Sequence, residues 1–138
     1  KPRMTEVIET KPYPTPDEIA ALAAEALDDV KGKDIVNLDT RELTSLFSRL
    51  VVCTGDSNRQ VKALANNVAV TLKGQGVDIV GMEGEQFGEW VLVDAGDVVI
   101  HIMLPAVRDY YDLEALWGGQ KPVFNPIPGA RGWKATEE

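Results

Sequence analysis

Three groups of residues have the types and spacing to do chemistry. The first is Thr54-Gly55-Asp56-Ser57-Asn58-Arg59, a turn between an apolar run and a helical pattern. Free backbone N–H groups at a helix N-terminus can hold an anion. A capped helix start, with Gly55 serving the turn, accounts for the same residues, and neither a P-loop nor a dinucleotide fingerprint is complete. The second group is Asp94 and Asp97. Metal-dependent nucleotidyl transfer needs neighbouring carboxylates to hold magnesium. These two straddle an expected hairpin turn, where acids are ordinary turn formers. The third is Cys53 with His101, the sole cysteine and the sole histidine of the chain. A thiol and an imidazole in contact can make a nucleophile. Cys53, however, lies in the apolar run Leu50-Val51-Val52-Cys53, where a thiol is ordinarily buried and inert. His101 alternates with Ile100 and Ile102 and shares a strand face with Val99 and Met103. A core or interface histidine is the better reading.

A fourth set can bind rather than react. Trp90, Tyr110, Tyr111 and Trp117 are the prominent aromatics of the second half of the chain. On a strand, Trp90 and Leu92 share one face, and Val91 and Val93 share the other. Both faces are apolar. Either the sheet is covered on both sides, or one face docks onto a partner, where aromatics and arginine are favoured anchors.

The elements that must position these groups can be read in order. Residues 1–14 carry three prolines without an apolar period and read as an extended arm. Thr15, Pro16 and Glu18 form a capping box with proline at the first helical position. Ile19, Leu22, Ala23, Ala26 and Val30 then recur at helical spacing, and Gly32 is expected to end the helix with a positive φ. Residues 34–39 read as a short strand, and residues 46–54 contain a buried one. Ser57 with Gln60 predicts a second capping box. Val61, Leu64, Ala65, Val68 and Leu72 form the stripe of a second helix, closed by Gly74 and Gly76. Residues 77–82 are expected to form a strand. Residues 90–94 and 98–104 flank Ala95-Gly96-Asp97 at hairpin spacing. Pro105 ends that strand, and Ala106–Trp117 has the pattern of a short helix stopped by Gly118-Gly119. Residues 118–138 read as a loosely held tail. The order is helix, strand, strand, helix, strand, strand, strand, helix. That predicts one α/β domain over residues 15–117 with a mixed sheet flanked by helices, since the final hairpin must be antiparallel.

Composition narrows the function classes. Fourteen Lys and Arg stand against twenty-two Asp and Glu, a net charge of −8. Phosphate backbones repel such a protein, so direct DNA binding is not expected. A basic protein partner is favoured, because opposite potentials steer encounter and fix register. One cysteine excludes an intramolecular disulfide and suits a reducing compartment. The apolar runs are too short to span a bilayer. The first eleven residues lack the apolar stretch of a secretion signal. The expected location is the cytoplasm, with no membrane, metal or cofactor.

Two blocks carry a resemblance to a known family. Val52-Cys53-Thr54-Gly55-Asp56-Ser57-Asn58-Arg59-Gln60-Val61 looks like the first block of the Iojap/RsfS family of ribosomal silencing factors. The second is longer. It runs through Glu83-Gly84-Glu85, then Trp90-Val91-Leu92-Val93-Asp94-Ala95-Gly96-Asp97-Val98-Val99-Ile100-His101-Ile102-Met103. It closes on Arg108-Asp109-Tyr110-Tyr111-Asp112-Leu113-Glu114-Ala115-Leu116-Trp117. The resemblance covers residues 17–117, about the whole expected domain. One departure is Phe47-Ser48-Arg49, where many members place an acid beside an aromatic.

The resemblance implies a fold similar to nucleotidyltransferases but without their catalytic acids. It implies a non-enzymatic protein that binds the large ribosomal subunit through ribosomal protein uL-fourteen. Steric obstruction of the small subunit would then repress translation under nutrient limitation. It leaves a homodimer open for the free protein. On this reading Glu89, Trp90, Leu92, Asp94, Asp97, His101, Arg108 and Tyr111 form the partner-binding surface, and Trp117 plugs the core. Trp90 and Leu92 would supply buried area, the three acids would meet basic groups, and Arg108 and Tyr111 would anchor or support the edge. Two other readings compete. One is a nucleotidyltransferase-like enzyme, for which no acid pair stands on a suitable strand. The other is a generic dimeric adaptor for a different basic protein.

Overall fold

The structure is a computed structural model and describes residues 12–116. Most of the expected arm, the tail and Trp117 lie outside the described residues. The first helix, α1 (Pro16–Asp29), starts as its sequence dictates. Thr15 Oγ1 accepts the Glu18 N–H at 3.1 Å, and the Glu18 carboxylate accepts the Thr15 N–H at 2.9 Å. Each bond satisfies a donor that the first helical turn leaves unpaired.

Five strands and a second helix follow in the expected order. They are β1 (Lys33–Asp39), β2 (Arg49–Thr54), α2 (Asn58–Gly74), β3 (Gly81–Glu83), β4 (Trp90–Asp94) and β5 (Val98–Met103). The chain then enters α3 (Pro105–Tyr111) and the single turn α4 (Leu113–Leu116). The sheet order is β1-β2-β5-β4-β3. Only the β2–β5 pair is parallel, and the other three pairs are antiparallel. The fold is therefore an α/β domain with a mixed sheet, as the hairpin requires.

Alternation along the strands divides the core. Val51, Cys53, Val91, Val93, Ile100 and Ile102 point to one face and pack with Ile19, Ala23, Leu27, Leu64, Val68 and Leu72 of the two long helices. Each buried Val, Leu or Ile among them stabilises the fold by roughly 1.5–3 kcal/mol relative to exposure. The opposite face carries a smaller cluster of Leu50, Val52, Met103 and Leu113, edged by Leu38, Phe47, Trp90, Val99 and Val107.

Four expectations are corrected. Gly32 does not supply the positive φ after α1; Lys31 does, at 63°. Gly32 is glycine for space, since a Cβ there would lie 2.5 Å from the Cys53 sulfur. The second capping box is displaced. Ser57 Oγ accepts the Gln60 N–H at 3.1 Å, but the Gln60 side chain accepts from the Asp56 N–H at 2.6 Å. The strand expected over 77–82 shrinks to three residues, Gly81–Glu83. The final helix breaks at Asp112, which takes a left-handed conformation with φ 47°. Pro105 begins α3 as well as ending β5, because a missing N–H costs nothing in a first helical turn.

Candidate binding face

The expected site residues separate according to the face on which they stand. On the helix-covered face, no reactive pair forms. Cys53 is fully buried, and burial pushes its thiol up to about 11. His101 is paired in register with Val52, not Cys53, so the two side chains point to opposite sides of the sheet.

Three donors of the turn leading into α2 are spent internally. Gly55 N–H bonds to the Met103 carbonyl at 2.9 Å, and Asp56 N–H and Gln60 N–H are taken by Gln60 and Ser57. The Asp56 carboxylate itself sits there, 2.7 Å from Lys33 Nζ. Gly55 is required because a Cβ would meet Val61 at 2.8 Å. Asp94 Oδ1 accepts the Gly96 N–H at 2.9 Å, the ordinary work of a turn acid. Among the described residues no cluster of three or more groups could hold a metal ion.

The other face is different. Its register brings Leu38, Leu50, Val99 and Asp94 into one cross-strand row, and Val36, Val52, His101, Leu92 and Glu83 into the next. Thr54, Met103 and Trp90 form a third. Leu50, Val52 and Met103 are the buried floor. Leu38, Trp90, Leu92, Asp94, Val99 and His101 are only part-buried. Val107 and Leu113 of α3 and α4 pack into the cluster on this face, and Tyr111 lies against Trp90.

An aromatic cluster marks that end. The Trp90 indole N–H donates to His101 Nδ1 at 2.8 Å. Tyr111 lies against Trp90 with centroids 4.9 Å apart and rings tilted by 42°, and Tyr110 meets Tyr111 edge-on at the same separation. Such offset and edge contacts add to the area buried. Burial pushes His101 down to about 4, because an apolar setting disfavours the charged ring. The imidazole is therefore neutral near pH 7.

Arg108 faces inward and is 8% exposed. Its Nη1 donates to the Asp34 carbonyl at 2.6 Å and to Thr54 Oγ1 at 2.9 Å. Asp34 has φ 49°, within the irregular start of β1. Arg108 thus binds α3 to two strands and holds a strained backbone carbonyl. Glu89 and Asp97 are exposed at opposite ends of the β4–β5 hairpin. Their carbonyls brace neighbours: Glu89 accepts from Leu104, and Asp97 accepts from Ser48 and Arg49. Arg49 bonds Asp17 at 2.9 Å, so the departure at Phe47-Ser48-Arg49 ties β2 to the first turn of α1.

Sequence reasoning missed Leu38, Leu50 and Val52 as part of this face. Period-two alternation within Leu50–Thr54 could have placed the last two. Leu38 needs the β1–β2 register, which no local signal gives.

The family model described as ribosomal silencing factor during starvation matches residues 13–137. A Chromobacterium violaceum ribosomal silencing factor RsfS is 71% identical over 119 residues, covering 86% of this chain and 97% of that protein. One from Haemophilus influenzae is 42% identical over 93 residues, covering 67% and 91%. A crystal structure of a Chromobacterium violaceum protein superposes with a TM-score of 0.76 at 69% identity, covering 87% of this chain and 99% of that one.

Proposed function

The chain belongs to the RsfS family of ribosomal silencing factors, and from that premise we propose that it docks on the large ribosomal subunit through ribosomal protein uL-fourteen and obstructs joining of the small subunit. The part-covered face of the sheet is the docking surface. Translation falls when nutrients are scarce because large subunits are held unjoined.

The observation that carries this reading is the asymmetry of the sheet. One face is sealed by α1 and α2, while the other presents Trp90, Leu92, Val99 and His101 part-exposed. Trp90 and Leu92 supply apolar area of the kind that anchors interfaces. Asp94, Asp97, Glu83 and Glu89 stand on or beside this face, and the net charge is −8. Ribosomal proteins are usually basic, so the charges favour encounter and register. Tyr111 and Arg108 support the surface from α3. Obstruction requires no chemical step, only a complex that outlasts the encounter with the other subunit.

Sedimentation of mixed ribosomal subunits tests the proposal. Excess protein is expected to travel with large subunits and to lower the joined fraction. Protein that stays at the top of the gradient at moderate salt rules the reading out.

A further inference from the structure

His101 is a side chain of the docking face with a ring nitrogen that the fold does not use. An indole N–H only donates. It lies 2.8 Å from His101 Nδ1, so Nδ1 must offer a lone pair. A neutral ring carries a single proton, which therefore sits on Nε2. Burial keeps the ring neutral at physiological pH. In register, His101 stands between Val52 and Leu92, and neither side chain can accept a hydrogen bond. Among the described residues Nε2 has no hydrogen-bond partner.

We infer that His101 is a pre-set hydrogen-bond donor of the docking face: Trp90 fixes its tautomer, and Nε2–H meets an acceptor oxygen of the bound ribosomal protein. The inference rests on the docking face proposed above and adds a specificity element to it. A partner that covers His101 with apolar atoms leaves a buried N–H unpaired and is penalised. A partner with a carbonyl or hydroxyl oxygen at that point is not. Trp90 has a double role. It contributes area, and it prevents the ring from adopting the tautomer that would present a lone pair outward.

The sole histidine makes the test unambiguous, since the histidine-ring nitrogen spectrum of labelled protein has one source. The free protein is expected to show the Nε2–H tautomer. Addition of isolated uL-fourteen is expected to move the Nε2 signal and leave Nδ1 nearly unchanged. His101→Asn puts an amide oxygen near the Nδ1 position, where it can still accept from Trp90, but nothing at Nε2. It is expected to keep the wild-type circular dichroism and bind large subunits about three- to tenfold more weakly, the worth of one neutral hydrogen bond. His101→Gln, whose amide N–H reaches the Nε2 position, is expected to recover most of that loss.

A Nδ1–H tautomer overturns the Trp90 lock. An unmoved Nε2 signal in the complex, or wild-type affinity in His101→Asn, overturns the donor role. Wild-type protein that binds no large subunit overturns the docking reading itself, and the tautomer of the free protein separates that failure from the others.

Discussion

Val91 and Trp90 are chain neighbours in one strand, yet they belong to two different surfaces. Val91 is fully buried under the helices, with Val93, Ile100 and Ile102 beside it. Trp90 is part-exposed on the opposite side, with Leu92 and His101. Both faces are apolar in sequence, so hydrophobicity alone does not distinguish them. Side-chain type does. The sealed face is built from aliphatic groups that interdigitate and need no partner atoms. The part-covered face mixes an indole, an imidazole, a leucine and an acid, which are only part-buried. The first face stabilises the fold; the second is the one proposed to bind.

That contrast can be broken from either side. The largest stability effect belongs to the sealed face. Ile100→Ala removes a fully buried side chain between α2 and the sheet. It is expected to cost about 2–5 kcal/mol in urea denaturation. A loss under 1 kcal/mol would mean the face is not close-packed.

A smaller effect tests the polar pair of the other face. The His101 pKa is lower in the fold than in the unfolded chain, so the unfolded state binds the extra proton first as pH falls. Stability is therefore constant above about pH 6.5, declines as pH falls from there towards about 4, and levels off below. Protonation of Nδ1 also removes the acceptor of the Trp90 bond. The decline over this window is expected to be roughly 1–3 kcal/mol, and His101→Asn is expected to abolish that component. An identical acid slope in the variant would assign it to carboxylates instead.

The smallest effect lies at the rim. Asp97 is exposed, and its backbone carbonyl, not its carboxylate, braces Ser48 and Arg49. Asp97→Lys is expected to leave stability within about 0.5 kcal/mol. It is expected to slow association with large subunits and to flatten its salt dependence.

The parts of this fold that were legible in the sequence are those set by contacts close along the chain. Thr15 with Glu18, the Ala95-Gly96-Asp97 turn and the stripe from Val61 to Leu72 each carry their own instructions. The faces of β4 and β5 follow from alternation. What escaped depends on distant residues. Gly32 looked like a helix terminator because its requirement, the Cys53 sulfur, stands twenty-one residues away (53 − 32). Gln60 bonds Asp56 and also the carbonyls of Val30 and Lys31, which no capping pattern foretells. Arg108 was read as anchoring or supporting the edge, but its partners Asp34 and Thr54, 74 and 54 positions away, could not be read from any local pattern. The candidate face was half visible: its β4 and β5 residues were named, while the floor from β1 and β2 awaited the register.

The central claim is that the part-covered face binds and the sealed face folds. Leu92→Glu tests it most directly, since Leu92 lies mid-face beside His101, clear of the Trp90–Tyr111 stack. Its affinity for purified large subunits should be measured by titration alongside urea denaturation. The account expects binding to fall by at least about thirtyfold, the loss of an interface anchor worth some 2 kcal/mol, with stability changed by about 1 kcal/mol or less. Wild-type affinity in a folded Leu92→Glu protein would contradict it.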